Sequence, residues 1–456
     1  MKLLIKDSVI VNANDTITGD ILVEDGLIIR MAPDLEKPDH YTVVIDAKGL
    51  YAFPGGVDPH VHLQLPTPAG NSSDDFRSGS IAALAGGTTT IIDFVTPASR
   101  NQSLSEALKL RKQEAEASLI DHSFHMSITS FNAETENQIF RCITEEGINS
   151  FKTYLAYRNT IGIDYETLGK VMQVVGHHQG LVTVHCEDGD EISRLQHEFV
   201  MNGHTSPEYH ALSRPNMVEA DAVAEVLKRS EQSGCLAYLV HVSAKESIEL
   251  IAAYKKNSVV FAETCPQYLM LDDANYCKPL PDSLKYVMSP PLRSQDSLDA
   301  LWQHIGDGTI DVVATDHCPF NTKGQKDAGL NDFTKIPNGA GGIEYRLPLL
   351  YTYGVMQRKI SLQRFVELTS THAAKIFGLY PQKGLIAEGC DADIVLWNPN
   401  TTSTISQTSQ FQQCDSNIYE GIAVAGSPEY VICRGEIAFK SGKVFPDKLI
   451  GRFLKR

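Results

Sequence analysis

No stretch of this chain approaches the roughly 20 consecutive apolar residues that a membrane-spanning helix requires, so no transmembrane segment is expected. The opening Met1-Lys2-Leu3-Leu4-Ile5-Lys6-Asp7 turns polar too soon for a secretory signal peptide. None of the nine cysteines forms a Cys-x-x-Cys pair, and their number is odd. Reduced thiols in a cytoplasmic protein fit that pattern better than a disulfide framework or a thiolate metal site. Positive charge is scarce too: 40 Lys and Arg stand against 56 Asp and Glu, a formal net charge of −16. Such a balance argues against non-specific binding to nucleic acid or to an anionic membrane, and neither partner is expected. Internal repeats and low-complexity tracts are absent. The Ser/Thr/Gln-rich residues 400–412 come nearest and are expected to form an exposed loop.

What is present is 456 residues, 42% of them hydrophobic and 21% charged, enough for a large single-core barrel with an accessory domain. Short β-type runs at residues 3–5, 9–11, 21–23, 28–29 and 43–45 are separated by Asp, Asn and Gly turn residues. The pattern returns at residues 392–397, 430–433 and 437–440. One small β-sandwich built from both chain ends accounts for this, and chain termini are often close together. The expected division is 1–53 and 379–456 for the sandwich and tail, with 54–378 between. In that middle region, short apolar runs alternate with helix-like segments, such as the Ala/Glu/Lys/Leu-rich residues 104–119. Another follows Pro215, with Val218, Ala222 and Val226 on one face. The apolar runs end near Asp58, Phe94, Ile128, Leu155, His185, His241, Glu263 and Asp316. Eight βα units predict an α/β fold, a closed (β/α)₈ TIM-like barrel.

Such a barrel carries its chemistry at the C-terminal ends of its strands. There the chain puts His60 and His62, which share one face of an extended backbone, then His185, His241 and Asp316. Singly, each could be a satisfied core or loop residue. Together they read as metal ligands, too many for one tetrahedral zinc and too poor in negative charge for two. The fourth strand supplies Lys152 where an acid is wanted. A carbamate formed from carbon dioxide on that lysine would carry one negative charge and two oxygens able to bridge two metals. His317 and Cys318 are read as an orienting partner for Asp316 and as packing, with Glu187 and Asp188 as solvated loop acids.

Several longer motifs resemble the cyclic-amidohydrolase branch of the amidohydrolase superfamily. They are Gly55-Gly56-Val57-Asp58-Pro59-His60-Val61-His62, Gly86-Gly87-Thr88-Thr89-Thr90, Ser150-Phe151-Lys152, Tyr209-His210-Ala211-Leu212-Ser213-Arg214-Pro215, Glu263-Thr264-Cys265-Pro266-Gln267-Tyr268-Leu269, Ser289-Pro290-Pro291-Leu292-Arg293 and Ala314-Thr315-Asp316-His317-Cys318. The match looks closest to dihydropyrimidinases and D-hydantoinases, including phenylhydantoinases, and spans almost the whole chain. The resemblance implies two divalent metals, zinc by preference: His60, His62 and Asp316 on one, His185 and His241 on the other, N6-carboxylated Lys152 bridging. It implies that a metal-bridging hydroxide opens a 5-substituted hydantoin or dihydropyrimidine to an N-carbamoyl amino acid. Asp316 is then the general base and acid. Tyr157 would stabilise the oxyanion and, with Ser289 and Asn338, contact the substrate. Leu63, Leu65, Tyr154 and Ile161 would line the pocket for the ring substituent. A homotetramer or homodimer, through residues 415–421, is implied as well.

Two alternatives follow from the same resemblance. Allantoinases and dihydroorotases share the metal site, but the dihydroorotase pattern has an arginine two residues after the second histidine, where this chain has Gln64. An amide cannot replace a guanidinium in paired recognition of a carboxylate. The segment Leu63-Gln64-Leu65-Pro66 also departs from the Leu-Asp-Met-Pro common in hydantoinases. Non-catalytic scaffold relatives, the collapsin response mediators, lack the ligands that this chain keeps.

Overall fold

The computed structural model describes residues 2–456, so Met1 lies outside the described residues. Eight parallel strands pair in chain order: Gly56–Val61, Thr88–Val95, Asp121–Ser127, Ser150–Tyr154, Leu181–His185, Leu236–Leu239, Phe261–Thr264 and Val312–Val313. Past the last strand, His317 bridges Val61 in parallel, and its carbonyl accepts the His62 N–H at 2.9 Å. This closes the ring, so each of the eight apolar runs is a strand of a (β/α)₈ barrel. Strands buried on both faces, as all eight residues of Thr88–Val95 are, call for the apolar and β-branched sequence seen there, broken only by Asp93, which is paired with Arg111.

Helices return the chain between strands. Pro215 immediately precedes the helix Asn216–Ser233, which buries Val218, Ala222 and Val226. Ser103 caps Leu104–Ala115 by accepting the Glu106 N–H, and that helix ends four residues earlier than its composition suggests.

A second, nine-stranded sheet is built from both ends of the chain. Its hinge is Tyr51–Pro54, parallel to Lys2–Val11 on one side and antiparallel to Ile394–Thr404 on the other. Leu3, Ile5, Ile21, Ile28, Ile394 and Ile432 share one apolar core inside this β-sandwich. Some details differ from the sequence reading. Residues 3–5 and 9–11 belong to one strand, bulged at Asp7, whose φ is +56° and whose N–H is held by Asp20 at 2.8 Å. Residues 400–404 are not loop but the end of Ile394–Thr404, paired with Ala423–Cys433, and Gln412 is buried. Polar composition did not prevent strand formation because the partner strand supplies the hydrogen bonds. Within residues 415–421, Asn417, Ile418 and Tyr419 are buried in their own chain.

An ionic cluster joins sandwich to barrel. The Lys383 Nζ lies 2.6 Å from Asp121, which begins the third barrel strand, 2.6 Å from Asp393 and 2.9 Å from Asp391. Burial would lower the Lys383 ammonium, but these three carboxylates raise it instead. The last residues reinforce the join: the His122 N–H donates to the Arg452 carbonyl, and the Leu454 N–H to that of His122. Removing the cation leaves buried Asp393 with only the Arg434 backbone N–H, and Asp121 with only the Arg434 guanidinium 3.1 Å away as a counter-charge. Lys383→Met is therefore expected to lower the unfolding free energy by about 3–5 kcal/mol, read from urea denaturation. A loss under about 1 kcal/mol, the value of a surface pair, would show the cluster to be inessential.

Candidate active site

The strand ends surround a cavity of about 650 Å³, whose lining includes His62, Lys152, His185, His241 and Asp316. Asp316 Oδ1 lies 3.2 Å from His60 Nε2 and 3.1 Å from His62 Nε2. Across the floor, His185 Nδ1 is 3.0 Å from His241 Nε2. His60 and His241 rings lie 5.2 Å apart, so the two halves of the expected ligand set meet. Ligand-type atoms of His60, His241 and Asp316 come within 4.8 Å of one another.

Backbone strain aims several of these groups. Gln64, Tyr157, His241 and Asp316 adopt positive φ of 52°, 58°, 38° and 52°, a region that costs a side-chain-bearing residue on the order of 1–3 kcal/mol. All four stand just past barrel strands. A left-handed residue at a strand end breaks the alternation of the strand and turns its side chain from the barrel wall towards the mouth.

Buried carboxylates hold the histidines from behind. Glu263 accepts from His60 Nδ1 at 2.6 Å, from the His241 N–H at 3.0 Å and from the Tyr238 hydroxyl at 2.8 Å. Glu187 lies 2.7 Å from His185 Nε2 and 2.5 Å from Arg214. Sequence reasoning missed both roles. Glu263 enters there as a strand end and as the first residue of a family motif, without a role; a carboxylate at a strand end was the signal. Glu187 is not a solvated loop acid but fully buried, and despite burial the Arg214 charge and the His185 hydrogen bond hold it down to about 2. Asp188 caps the helix Gly189–Met201 and accepts from the Tyr165 hydroxyl. His317 does not orient Asp316 through its ring. Its Nε2 donates to Asp74 at 3.1 Å, and its Nδ1 accepts the Gly342 and Ile343 N–H groups.

Of the expected substrate contacts, Tyr157, Ser289, Asn338, Leu65, Tyr154 and Ile161 line the cavity. The Tyr157 hydroxyl faces Ser289 and Asn338. Leu63 does not line it. Its side chain is fully buried against the helix Phe76–Ala85, where Gly79 makes room: a Cβ there would sit 2.3 Å from Leu63 Cδ2. Arg111 is the one guanidinium among the cavity-lining residues, and it is committed to Asp93 and Glu114, each at 2.6 Å.

The electrostatics suit a cation. Burial works against a charged His60, but Glu263 and Asp316 raise it to about 9. Burial lowers His62 and His185 and takes His241 well below the imidazole range, which keeps neutral rings for coordination. Against burial, His60 and His62 hold Asp316 well below the carboxylate range. Lys152 is pushed down by burial to about 8, against the pull of Asp316 and Glu263. Its Nζ, with His60 Nε2, His62 Nδ1 and His241 Nδ1, is buried with no hydrogen-bond partner in the protein. Buried polar atoms left without partners are rare, and imidazole nitrogens gathered around a carboxylate fit a divalent metal.

Comparison with known proteins gives the same picture. The chain is 40% identical over 458 residues to a D-hydantoinase of Geobacillus stearothermophilus, covering 100% of this chain and 97% of that protein. It is 39% identical over 460 residues to a D-phenylhydantoinase of Escherichia coli, covering 100% and 98%. The crystal structure of a dihydropyrimidinase from Brevibacillus agri superposes with a TM-score of 0.98 at 39% identity, covering 100% of this chain and 99% of that one. The model of the amidohydrolase family matches residues 51–438, which takes in every strand of the barrel and all the residues gathered at its mouth. By sequence along its length and by the architecture of its barrel, the chain belongs to the amidohydrolase family.

Proposed function

We propose that this metal-dependent cyclic amidohydrolase opens 5-substituted hydantoins, and dihydropyrimidines beside them, to N-carbamoyl amino acids. The observation that carries this reading is the convergence of His62, His185, His241, Asp316 and the partnerless Lys152 amine at one cavity, with His60 against Asp316. Two divalent metals, zinc by preference, would be held by His60, His62 and Asp316 on one side and by His185 and His241 on the other. Metals so bound polarise a carbonyl and lower the pKa of water from about 16 towards about 7. Lys152 is read as the bridge: its amine forms an N–C bond to carbon dioxide, releases a proton and becomes a carbamate with one negative charge. That charge balances a site otherwise short of anions.

The other residues are assigned by chemistry and position. Asp316 takes a proton from the attacking water and returns it to the departing ring nitrogen. Tyr157 donates its hydroxyl hydrogen to the developing oxyanion. Backbone groups of Ser289 and Asn338 hold the amide edge of the ring, and Leu65, Tyr154 and Ile161 bury its substituent. Dihydroorotate is disfavoured for two reasons. Position 64 is glutamine, and the Arg111 guanidinium is already paired on both sides, so no free fork meets the substrate carboxylate. Nine free cysteines support a cytoplasmic home, and we assign a homo-oligomer, tetramer or dimer, as the working assembly.

Protein purified without chelator should carry about two zinc equivalents per chain, and Lys152→Ala should lose metal and activity together. A fully metallated, active Lys152→Ala would sink the carbamate. Tyr157→Phe should keep its metal and lose on the order of 10²–10³ in kcat; an unchanged kcat removes Tyr157 from the oxyanion role. In a hydrolysis assay, 5-phenylhydantoin should be turned over and dihydroorotate should not. The opposite preference overturns the substrate assignment.

A further inference from the structure

One wall of the cavity is made of two backbone segments, at Ser289 and at Asn338-Gly339. Neither segment belongs to a barrel strand; the second runs into Ala340, which bridges His317, and side chains behind both add to what holds them. Behind them lies Lys326, 1% exposed, in the short turn Lys326–Gly329. Its Nζ donates to the Val287 carbonyl at 2.7 Å and to the Pro337 carbonyl at 3.0 Å. Val287 stands two residues before Ser289, and Pro337 immediately precedes Asn338. Lys326 therefore spans both segments with two hydrogen bonds from a single atom.

The Ser289 segment is gripped elsewhere as well. The fully buried His210 donates from Nε2 to the Met288 carbonyl at 2.8 Å, and the Tyr268 hydroxyl donates to the Pro290 carbonyl at 2.7 Å. The Gly339 N–H donates to the same Val287 carbonyl at 3.1 Å. At Gly339, φ is +145° and a Cβ would sit 2.4 Å from the Cys318 carbonyl, so the backbone runs close to the loop that follows Asp316.

Packing alone does not call for a lysine here. An amine buried where no carboxylate contributes to its charge balance is costly, and burial pushes Lys326 down to about 7. A methionine would fill the same volume without that penalty. What the amine provides and an apolar side chain lacks is a pair of donors aimed at two separate carbonyls.

We propose that Lys326, together with His210, is a positioning residue for substrate binding, fixing the distance between the Ser289 and Asn338 segments, whose side chains face Tyr157. This rests on the reading of Ser289 and Asn338 as substrate contacts. Loss of the clamp weakens contacts made in ground state and transition state alike, so it raises KM and leaves kcat near its native value.

The test is the steady-state kinetics of Lys326→Met, His210→Phe and His210→Gln with 5-phenylhydantoin, alongside zinc content and thermal midpoint. Glutamine carries an amide nitrogen where histidine carries Nε2. Lys326→Met and His210→Phe should raise KM at least about tenfold with kcat changed less than about threefold and both metals retained. His210→Gln should recover most of the native KM. A folded, metal-loaded Lys326→Met with native KM overturns the proposal, even where its thermal midpoint falls, since that is the signature of packing alone. Should Lys326→Met not fold, the His210 pair decides: a native KM in His210→Phe, or no recovery in His210→Gln, overturns it. Tyr157→Phe in the same assay separates the levels. If it is impaired while the clamp variants are not, only the clamp fails. If it too is unimpaired, the reading of that wall as the substrate site fails.

Discussion

A fully buried amine that meets no hydrogen-bond partner, Lys152 Nζ, sets the terms for everything around the mouth of the barrel. Charge in such a place is tolerated only when opposite charge is arranged against it. The arrangement here is layered. Histidines and Asp316 form the inner ring, the buried carboxylates Glu263 and Glu187 stand behind His60 and His185, and Arg214 stands behind Glu187. Each layer compensates the one inside it. Carbamate formation on Lys152, as proposed, would turn the one misfit of this arrangement into its central anion.

The rest of the fold holds that arrangement still. Barrel closure through His317 ties the last strand to the first, which brings Asp316 to His60 and His62. The part of the chain that returns after the barrel then braces this closure. The Gln413 N–H donates to Asp74, the partner of His317, and the Phe411 N–H donates to Glu344. The sandwich is therefore more than an appendage. One of its connections supports the residues that support the site, and Lys383 locks the sheet to the third barrel strand. Strain at Tyr157, His241 and Asp316 is sustained because packing on every side over-determines these positions.

How much of this could be read along the chain varied by residue. Residue type and place at strand ends single out His60, His62, Lys152, His185, His241 and Asp316 as candidate ligands, and the fold brings them together at the barrel mouth. The family resemblance implies a pocket position for Leu63, but a turn at Gln64 and the space at Gly79 take it into the core. Glu187 reads as a loop acid until Arg214, 27 positions later, is seen to bury with it. Lys326 carries no local signal, since a lysine in a polar loop is ordinarily solvated.

By itself the sequence determined the eight strands, the two-ended sandwich and the residue types at the strand ends. Apolar periodicity and strand-end position are properties of neighbouring residues, and a local pattern carries them. Only the tertiary structure decided which carboxylate stands behind which histidine, which leucine lines the cavity and which lysine spans two loops. The His60 to Glu263 contact joins residues 203 positions apart. Its geometry exists only once the barrel has closed, because closure and not chain order brings the two side chains within hydrogen-bond reach.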